Sequence, residues 1–255
     1  IRVTATAGDM FDALVRPLSV VPSRLVAAET ESSQLAVGQS LQDLPKGRRP
    51  VDLVITDAGR GRYYDDLVRL TWSWGDRLDS ALGRSIASDL LTEHFTATQA
   101  IVADIETRVY QTDEGGAALL PYGDDDLFLS ATVAAVDPAA LGLQGLAQYF
   151  TSVLDQPDGT QERRSLALAG LGSLDQPVLP ELQAALGTPG LATRDGLMLA
   201  LAAVKLGDHA TGDRVYREVL ATSGERRGNQ VRLAMEGGRD ESLEASVLAA
   251  WLGAL

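Results

Sequence analysis

Asp76 and Asp79 are the pair of side chains whose types and spacing could best support chemistry in this sequence. Residues three positions apart share one face of a helix, so both carboxylates would face the same ligand. Such a pair could act as general acid and base, or bind a cation. Alternatively, carboxylates in the first turn of a helix interact favourably with the helix dipole. We favour this structural interpretation and predict no catalytic residue.

The other candidate sites also have structural interpretations. Asp124, Asp125 and Asp126 lack the spaced oxygen ligands and the bidentate glutamate of a calcium loop, and they are predicted to start a helix. The two histidines, His94 and His209, are too few for a zinc site in a chain without cysteine. The sequence contains no Gly-x-Ser-x-Gly elbow and no glycine-rich phosphate-binding motif. We therefore predict no metal and no cofactor.

Composition excludes several further classes of function. The chain has 255 residues, no cysteine and a formal net charge of -13. Disulfides and cysteine nucleophiles need a thiol, and nucleic-acid binding needs clustered basic residues. No apolar run reaches the ~18 residues of a membrane span. We expect no nucleic-acid partner and no membrane insertion. The strand-like opening, without a leader peptide, is typical of a piece of a longer protein.

The pattern of apolar residues divides the chain into a β segment and a helical body. Residues 1–62 contain short alternating runs rich in β-branched side chains, which predict strands. From 63 to 255, leucine and alanine recur at helical spacing between turn-forming residues. The fold class predicted is therefore mainly α, with a small N-terminal β segment. The predicted strands cover 1–7, 10–21, 25–28, 35–37 and 51–56, and the predicted helical stretches include 65–95 and 97–110.

Three segments of similar composition, at 167–175, 200–208 and 247–255, lie at the ends of predicted helices. Their small residues allow close packing against neighbours on both sides. They recur at intervals within the range of helical repeats. We predict that the helical hairpins close into an α/α toroid, because continuously apolar helices must be covered all round. An open helical-repeat scaffold for binding peptides is the alternative.

Helix boundaries follow from residues suited to capping. Thr160, Thr193 and Asp240 are predicted N-caps, because their side-chain oxygens can accept free backbone N–H groups. Gly207 is predicted to terminate a helix, since glycine readily adopts the left-handed conformation common at that position. A brief alternation over 229–235 predicts one further strand.

Trp72 and Trp74 lie immediately before the aspartate pair, with Gly75 at the turn. Tryptophan is highly buried on average, which favours a role as core anchors at a helix start. Aromatic side chains also dominate the energetics of interfaces, so a surface docking patch is the second interpretation.

The order of these features resembles the thioester-containing domain of the alpha-2-macroglobulin and complement family, in its bacterial form. The strand-rich start, the helices and four helix starts and breaks carry this resemblance, at 111–116, 121–123, 141–150 and 167–179. In that family the domain is an α/α toroid inserted into a CUB-type β-sandwich. The resemblance implies that residues 1–62 are part of such a sandwich and that 63–255 are the toroid.

In the family, a Tyr-Gly-Cys-x-Glu-Gln motif opens the domain and forms a reactive thioester. Here Trp74, Gly75, Asp76 and Asp79 fall at the former thioester position, and without a thiol no thioester can form. The resemblance implies a non-enzymatic interaction or structural module of an extracytoplasmic protein, with a role in protease trapping. Its expected partners are neighbouring domains of a longer chain and a protease, with Trp72 and Trp74 as docking residues. In the family a neighbouring domain shields the reactive site through aromatic contacts, so we predict that at least one of the two indoles stays partly exposed for docking.

An enzyme on the same α/α toroid scaffold is the remaining alternative. Such enzymes act on polysaccharides or terpenoids through an acidic or aromatic-lined cavity at the end of the toroid. Aromatic residues make up only 5% of this chain, so such a cavity would be poorly lined. We therefore expect a binding module.

Overall fold

The structure is a computed structural model that describes residues 2–8, 10–15, 55, 57, 59–73, 75–95, 106–157, 159–228 and 230–255. It divides into two compact units, Ile1–Leu53 and Val54–Leu255. The boundary predicted from the sequence lies between residues 62 and 63.

The described part of the first unit is a β-hairpin. Strand β1 (Arg2–Ala7) pairs antiparallel with strand β2 (Met10–Val15), and Ala7 lies opposite Met10. Strand β1 is rich in β-branched residues and β2 in apolar residues, and both compositions are typical of strands. The strands predicted at 25–28 and 35–37, and most of that predicted at 51–56, lie outside the described residues.

The second unit is helical, with one small hairpin. The α-helices that the structure describes are α1 (Gly61–Thr71), α2 (Leu78–His94), α3 (Leu127–Val136), α4 (Leu143–Leu154), α5 (Gln161–Ser173), α6 (Leu179–Leu186), α7 (Thr193–Lys205), α8 (His209–Ser223) and α9 (Arg239–Leu252). Strands β3 (Gly224–Arg227) and β4 (Gln230–Leu233) form an antiparallel hairpin between α8 and α9. The predicted mainly α class with a small N-terminal β segment is confirmed. Of the helix predicted at 97–110, the described part is a single 3₁₀ turn, Thr107–Tyr110.

The helices from α3 onward pack in two rows. In the first row, α3 contacts α5, α5 contacts α7, and α7 contacts α9. The second row consists of α4, which packs against α5, α6, which packs against α5 and α7, and α8, which packs against α7 and α9. Residues 165–173 of α5 and 195–204 of α7 are buried without interruption. This continuous burial explains why those segments contain only small or apolar residues apart from a few polar side chains.

A glycine in α5 allows close packing of α4 against α5. The Phe150 side chain of α4 is completely buried, and its ring lies against the backbone of Gly170. A Cβ atom added at Gly170 would fall within 3.0 Å of three ring carbons. Phe150 also packs edge-on against Tyr149, with ring centroids 5.6 Å apart. The small residues of 167–175 therefore serve helix packing, as their composition predicts.

Several predicted helix boundaries are confirmed. The Thr160 hydroxyl accepts a hydrogen bond from the Arg163 backbone N–H at 3.3 Å and caps α5. Asp126, the last of the three consecutive aspartates, caps α3 by accepting a hydrogen bond from the Leu129 N–H. Gly207 follows α7 with φ of 92°, a conformation that favours glycine.

Two predicted N-caps are wrong by one or two residues. Helix α7 already includes Thr193, because the Gly196 N–H bonds to the Ala192 carbonyl and makes Ala192 the N-cap. Helix α9 has Gly238 as its N-cap, and Asp240 lies in its first turn. A carboxylate in the first turn of a helix interacts favourably with the helix dipole. Aspartate therefore suits position 240 as well as it would suit the N-cap.

Candidate functional site

The turn between α1 and α2, residues 72–77, contains most of the predicted site residues. Trp72 ends α1, where its backbone N–H bonds to the Arg69 carbonyl at 3.1 Å. Gly75 has φ of 134°, a conformation that strongly favours glycine. The guanidinium of Arg84, in α2, donates to the carbonyl oxygens of Ser73 at 2.8 Å and Gly75 at 3.2 Å. Arg84 of α2 therefore fixes the backbone of the turn that joins α1 to α2.

A second set of contacts fixes the turn against the segment 107–119. The Tyr110 hydroxyl donates to the Asp76 carbonyl oxygen at 2.9 Å. The Leu78 N–H bonds to the Leu119 carbonyl, also at 2.9 Å, and the Leu78 side chain is fully buried. Tyr110 and Leu119 thus hold the start of α2 in place, and the site residues there have a defined position.

Trp72 is 57% exposed, although its neighbours in the turn are well anchored. Tyr63 and Leu70, seven residues apart and therefore on one face of α1, are also exposed. The Arg62 guanidinium lies 4.7 Å from the centroid of the Tyr63 ring. We call these three exposed residues the α1 surface: Tyr63 and Leu70 on one face of α1, and Trp72 at its C-terminal end. The exposure predicted for at least one of the two indoles is present at Trp72, whereas Trp74 lies outside the described residues.

Asp79 is paired with Arg77, and the structure describes no contact between its carboxylate and that of Asp76. The Arg77 guanidinium donates to both Asp79 oxygens, Nη2 to Oδ2 at 2.6 Å and Nε to Oδ1 at 3.0 Å. This hydrogen bonding lowers the pKa of Asp79 below its ordinary value. A general acid at neutral pH needs a raised pKa. The geometry therefore fits the interpretation that Asp79 complements the dipole of α2, in whose first turn it lies.

Substitution of Asp79 by asparagine tests this pairing. The lowered pKa means that the folded state gains stability from ionised Asp79 at neutral pH and loses it as the pH falls through the folded-state pKa. We expect the Asp79→Asn protein to melt on the order of 1 °C lower at pH 7, a small effect because the pair is exposed to solvent. Near pH 3, around or below the ordinary pKa of aspartate, the difference should shrink. Thermal melts of Asp76→Asn serve as the control, and an equal effect there would contradict the pairing.

The structure brings together a charged cluster that the sequence analysis missed. The Asp195 side chain is only 3% exposed, and its Oδ1 lies 3.2 Å from Arg194 Nε. Arg194 Nη2 also forms an ion pair with Glu162 of α5. The Arg194 guanidinium lies 4.8 Å from the centroid of the Phe128 ring. Burial raises the pKa of Asp195, and the nearby Arg194 opposes this shift without cancelling it.

A neighbouring carboxylate adds to the negative charge of the cluster. Burial raises the pKa of Glu244, and the negative charges of Glu241 and Asp195 raise it further. In the sequence, this cluster could have been indicated by the Arg194-Asp195 pair, which directly precedes the long apolar run of α7. The partners of Arg194 in α3 and α5 are distant in sequence, so the pattern alone could not identify them.

Two surface depressions lie beside these helices, and both are open to solvent. One, of about 230 Å³, is located between the starts of α5 and α7. The other, of about 350 Å³, lies along α4 and the end of α5. Substrate sites are typically enclosed apolar clefts with a few convergent polar groups. The first depression is lined by Gln161, Glu162, Gly190, Leu191, Ala192 and Asp195.

The other predicted site residues are dispersed. His94 ends α2 and His209 begins α8, while the three aspartates 124–126 precede α3. Within the described ranges, no group of three or more His, Asp or Glu residues could hold a metal ion. Of the helices that the structure describes, none is long and apolar enough to cross a membrane.

The chain was also compared with known proteins. No family model, curated protein or solved structure matches it.

Proposed function

We propose that residues 54–255 form an open helical-repeat module that binds another protein and has no catalytic activity. The order of helix contacts supports this proposal most. In the described part of the chain, the main contacts of α9 are with α7, α8 and β4, and those of α2 are with α1 and residues 107–110. Each helix pair thus packs mainly against its neighbours in sequence, as in solenoid proteins. Closure into the predicted toroid would require α9 to pack against the first helix pair.

The α1 surface is the proposed docking site. The Trp72 indole is half-exposed at the end of α1, and Tyr63 and Leu70 are exposed on the helix. Arg84 and Tyr110 fix the turn that follows Trp72. Aromatic anchors on a rigid backbone bind with little loss of conformational entropy, which is why they dominate interface energetics. The Arg77–Asp79 pairing and the open depressions support a binding role rather than catalysis.

A peptide-display selection against the immobilised chain tests this function. We expect the selected peptides to bind the Trp72→Ala protein at least ~10-fold more weakly, because aromatic hot spots contribute 2 kcal/mol or more. Leu143→Ala, which truncates an exposed residue of α4, should leave the affinity unchanged. Melting temperatures of both variants should equal that of the parent chain. Failure to select any binder, or equal binding by the Trp72→Ala protein, would contradict the proposal.

A thioester-inactive module of an extracytoplasmic alpha-2-macroglobulin-like protein is the second candidate. The observation that favours it is the exposed Trp72, which lies two residues before the former thioester position at 74–79. In that family the reactive site is shielded by a neighbouring domain through aromatic contacts. Under this candidate the α1 surface would dock a neighbouring domain, and protease trapping would be the role of the whole protein.

A further inference from the structure

The depression between the starts of α5 and α7 is lined by two carboxylates. Its volume is about 230 Å³, and Glu162 of α5 and Asp195 of α7 both line it. The side chain of Asp195 is only 3% exposed, whereas that of Glu162 is 57% exposed. Because buried polar atoms are nearly always hydrogen-bonded, a nearly buried carboxylate needs partners for both of its oxygens.

A single guanidinium group holds both carboxylates, each by one oxygen. Arg194 Nε lies 3.2 Å from Asp195 Oδ1, and Arg194 Nη2 donates to Glu162 Oε1. Within the described ranges, Asp195 Oδ2 and Glu162 Oε2 accept no hydrogen bond. Asp195 Oδ2 still reaches solvent, because Ser73 Oγ is the only fully buried side-chain nitrogen or oxygen without a partner in the described part of the chain. The depression therefore presents two carboxylate oxygens that can accept a donor.

The surroundings of these oxygens carry an excess of negative charge. Burial raises the pKa of Glu244, and the charges of Glu241 and Asp195 raise it further, so α9 adds two carboxylates to Asp195 and Glu162. Arg194 supplies one positive charge. The N-termini of α5 and α7 add roughly half a positive charge each, so the four carboxylates leave an excess of about two negative charges.

The other two arginines at the start of α5 do not offset this excess at the depression. Arg163 donates to the Gln156 side chain at 3.4 Å, and the Arg164 side chain lies beside Gly159. Neither arginine lines the depression. Burial raises the pKa of Asp195 although Arg194 is beside it, so this one arginine neutralises the carboxylate only in part. The charge and the open acceptors both fit a cationic ligand.

The arrangement of the open oxygens favours an ammonium group over other cations. A guanidinium binds best to both oxygens of one carboxylate, whereas here each carboxylate offers one. An ammonium is a compact charge with three donors, so it can donate to one oxygen of each carboxylate. Calcium and magnesium ions take six or more oxygen ligands, and no metal-binding group of three or more His, Asp or Glu residues is found among the described residues.

Leu191 supplies an apolar wall beside the two carboxylates. It lines the depression and is partly buried against the core. Its Cδ2 atom lies 3.5 Å from the position of a Cβ atom added at Gly196, so the side chain lies over the start of α7. An alkyl chain attached to the ammonium group would lose contact with water against this side chain.

We propose that the depression binds a primary alkylammonium group, which donates to Asp195 and Glu162 while its alkyl chain packs against Leu191. A small aliphatic amine and a lysine side chain of another polypeptide both carry this group. The inference goes beyond the function proposed above. It uses neither Trp72 nor the α1 surface, so the two proposals can fail separately.

Titration of the ¹⁵N-labelled full chain with n-butylammonium chloride tests the proposal by NMR. We expect saturable shifts of the Leu191 and Asp195 amide resonances, with a Kd on the order of 1 mM for so small a ligand. Tetramethylammonium has the same charge but no N–H donor and should give no saturable shift. Methylguanidinium should bind more weakly than butylammonium, because no single carboxylate has both oxygens open.

Two variants remove one acceptor charge each. Asp195→Asn and Glu162→Gln should each weaken butylammonium binding by ~10-fold or more, since hydrogen bonds to charged groups are the strong ones. Glu162 is exposed, so Glu162→Gln tests the site even if Asp195→Asn lowers the stability of the fold. Asp155→Asn, which removes an exposed carboxylate from the other depression, should bind like the parent chain.

Three results would overturn the proposal: no saturable shift at up to about 50 mM butylammonium, far above the expected Kd; binding of tetramethylammonium or methylguanidinium as tight as that of butylammonium; or unchanged binding by the Glu162→Gln chain. A parallel titration with Nα-acetyl-lysine amide distinguishes the two sources of the group. Tighter binding of the lysine amide than of butylammonium would assign the site to a lysine of a polypeptide partner. Equal or weaker binding would assign it to a free amine.

Discussion

Replacement of Arg194 by methionine is expected to lower the free energy of unfolding by about 3 kcal/mol at neutral pH. The substitution leaves the nearly buried Asp195 carboxylate without its cationic partner. Methionine retains an unbranched apolar chain beside Phe128, so the variant removes the charge with little loss of packing. Chemical denaturation followed by circular dichroism measures the change.

The pH dependence identifies the cause of this loss. Burial raises the folded-state pKa of Asp195 above its unfolded value, so stability is greatest when the carboxyl is protonated and is lost as the pH rises through the folded-state pKa. Without Arg194 this pKa rises further. The destabilisation should therefore be largest at neutral pH and decrease towards acidic pH. The Arg194→Met, Asp195→Asn double variant should recover most of the lost stability, because it has no unpaired carboxylate. If the single and double variants were equally destabilised, the loss would come from altered packing and not from the unpaired charge.

Replacement of Gly170 by alanine is expected to lower the free energy of unfolding by about 1–3 kcal/mol. The new methyl group would overlap the Phe150 ring, which is completely buried. Elsewhere in a helix the same change stabilises by ~1 kcal/mol, because alanine has the higher helix propensity. The sign of the effect therefore reports the close packing of α4 on α5.

Gly196 provides a matched control inside α7. An added Cβ atom there would have Leu191 Cδ2 as its nearest neighbour at 3.5 Å, which is an ordinary van der Waals contact. Gly196→Ala should be neutral or stabilising in the same denaturation experiment. If Gly170→Ala were as stable as Gly196→Ala, the described packing of α4 against α5 would be incorrect.

The sequence predicts the elements of this fold better than their arrangement. Leucine and alanine periodicity locates the helices, and the Thr160 cap follows from a side chain acting on its own backbone. The uninterrupted burial of α5 and α7 also follows from their composition. Composition does not identify the neighbour that covers each face, however. A helix covered on all sides is expected both in a closed toroid and in the middle of an open two-row array, so the sequence leaves these two arrangements open.

In the candidate site too, features set by neighbouring residues could be predicted, whereas contacts between residues distant in sequence could not. The position of Asp79 in the first turn of α2 follows from neighbouring residues. The expectation that Trp72 or Trp74 is exposed came from the family resemblance, and Trp72 is exposed. The Arg194–Glu162 ion pair joins residues 32 positions apart, and the contact between Gly170 and Phe150 depends on how two helices cross. Such contacts depend on tertiary packing, which a single sequence does not specify.

The spacing between the first helix pair and α9 tests the open arrangement most directly. The chain contains no cysteine, so spin labels can be attached at Asp89→Cys in α2 and Arg239→Cys in α9 without background labelling. Pulsed electron paramagnetic resonance on labelled chain diluted into excess unlabelled chain reports the distance within one molecule. Because helices pack 8–10 Å apart, an open row with α3, α5 and α7 between the labels predicts a distance on the order of 30 Å or more. A dominant distance of roughly 10–20 Å, that of adjacent helices carrying labels, would contradict the open array and establish the closed toroid.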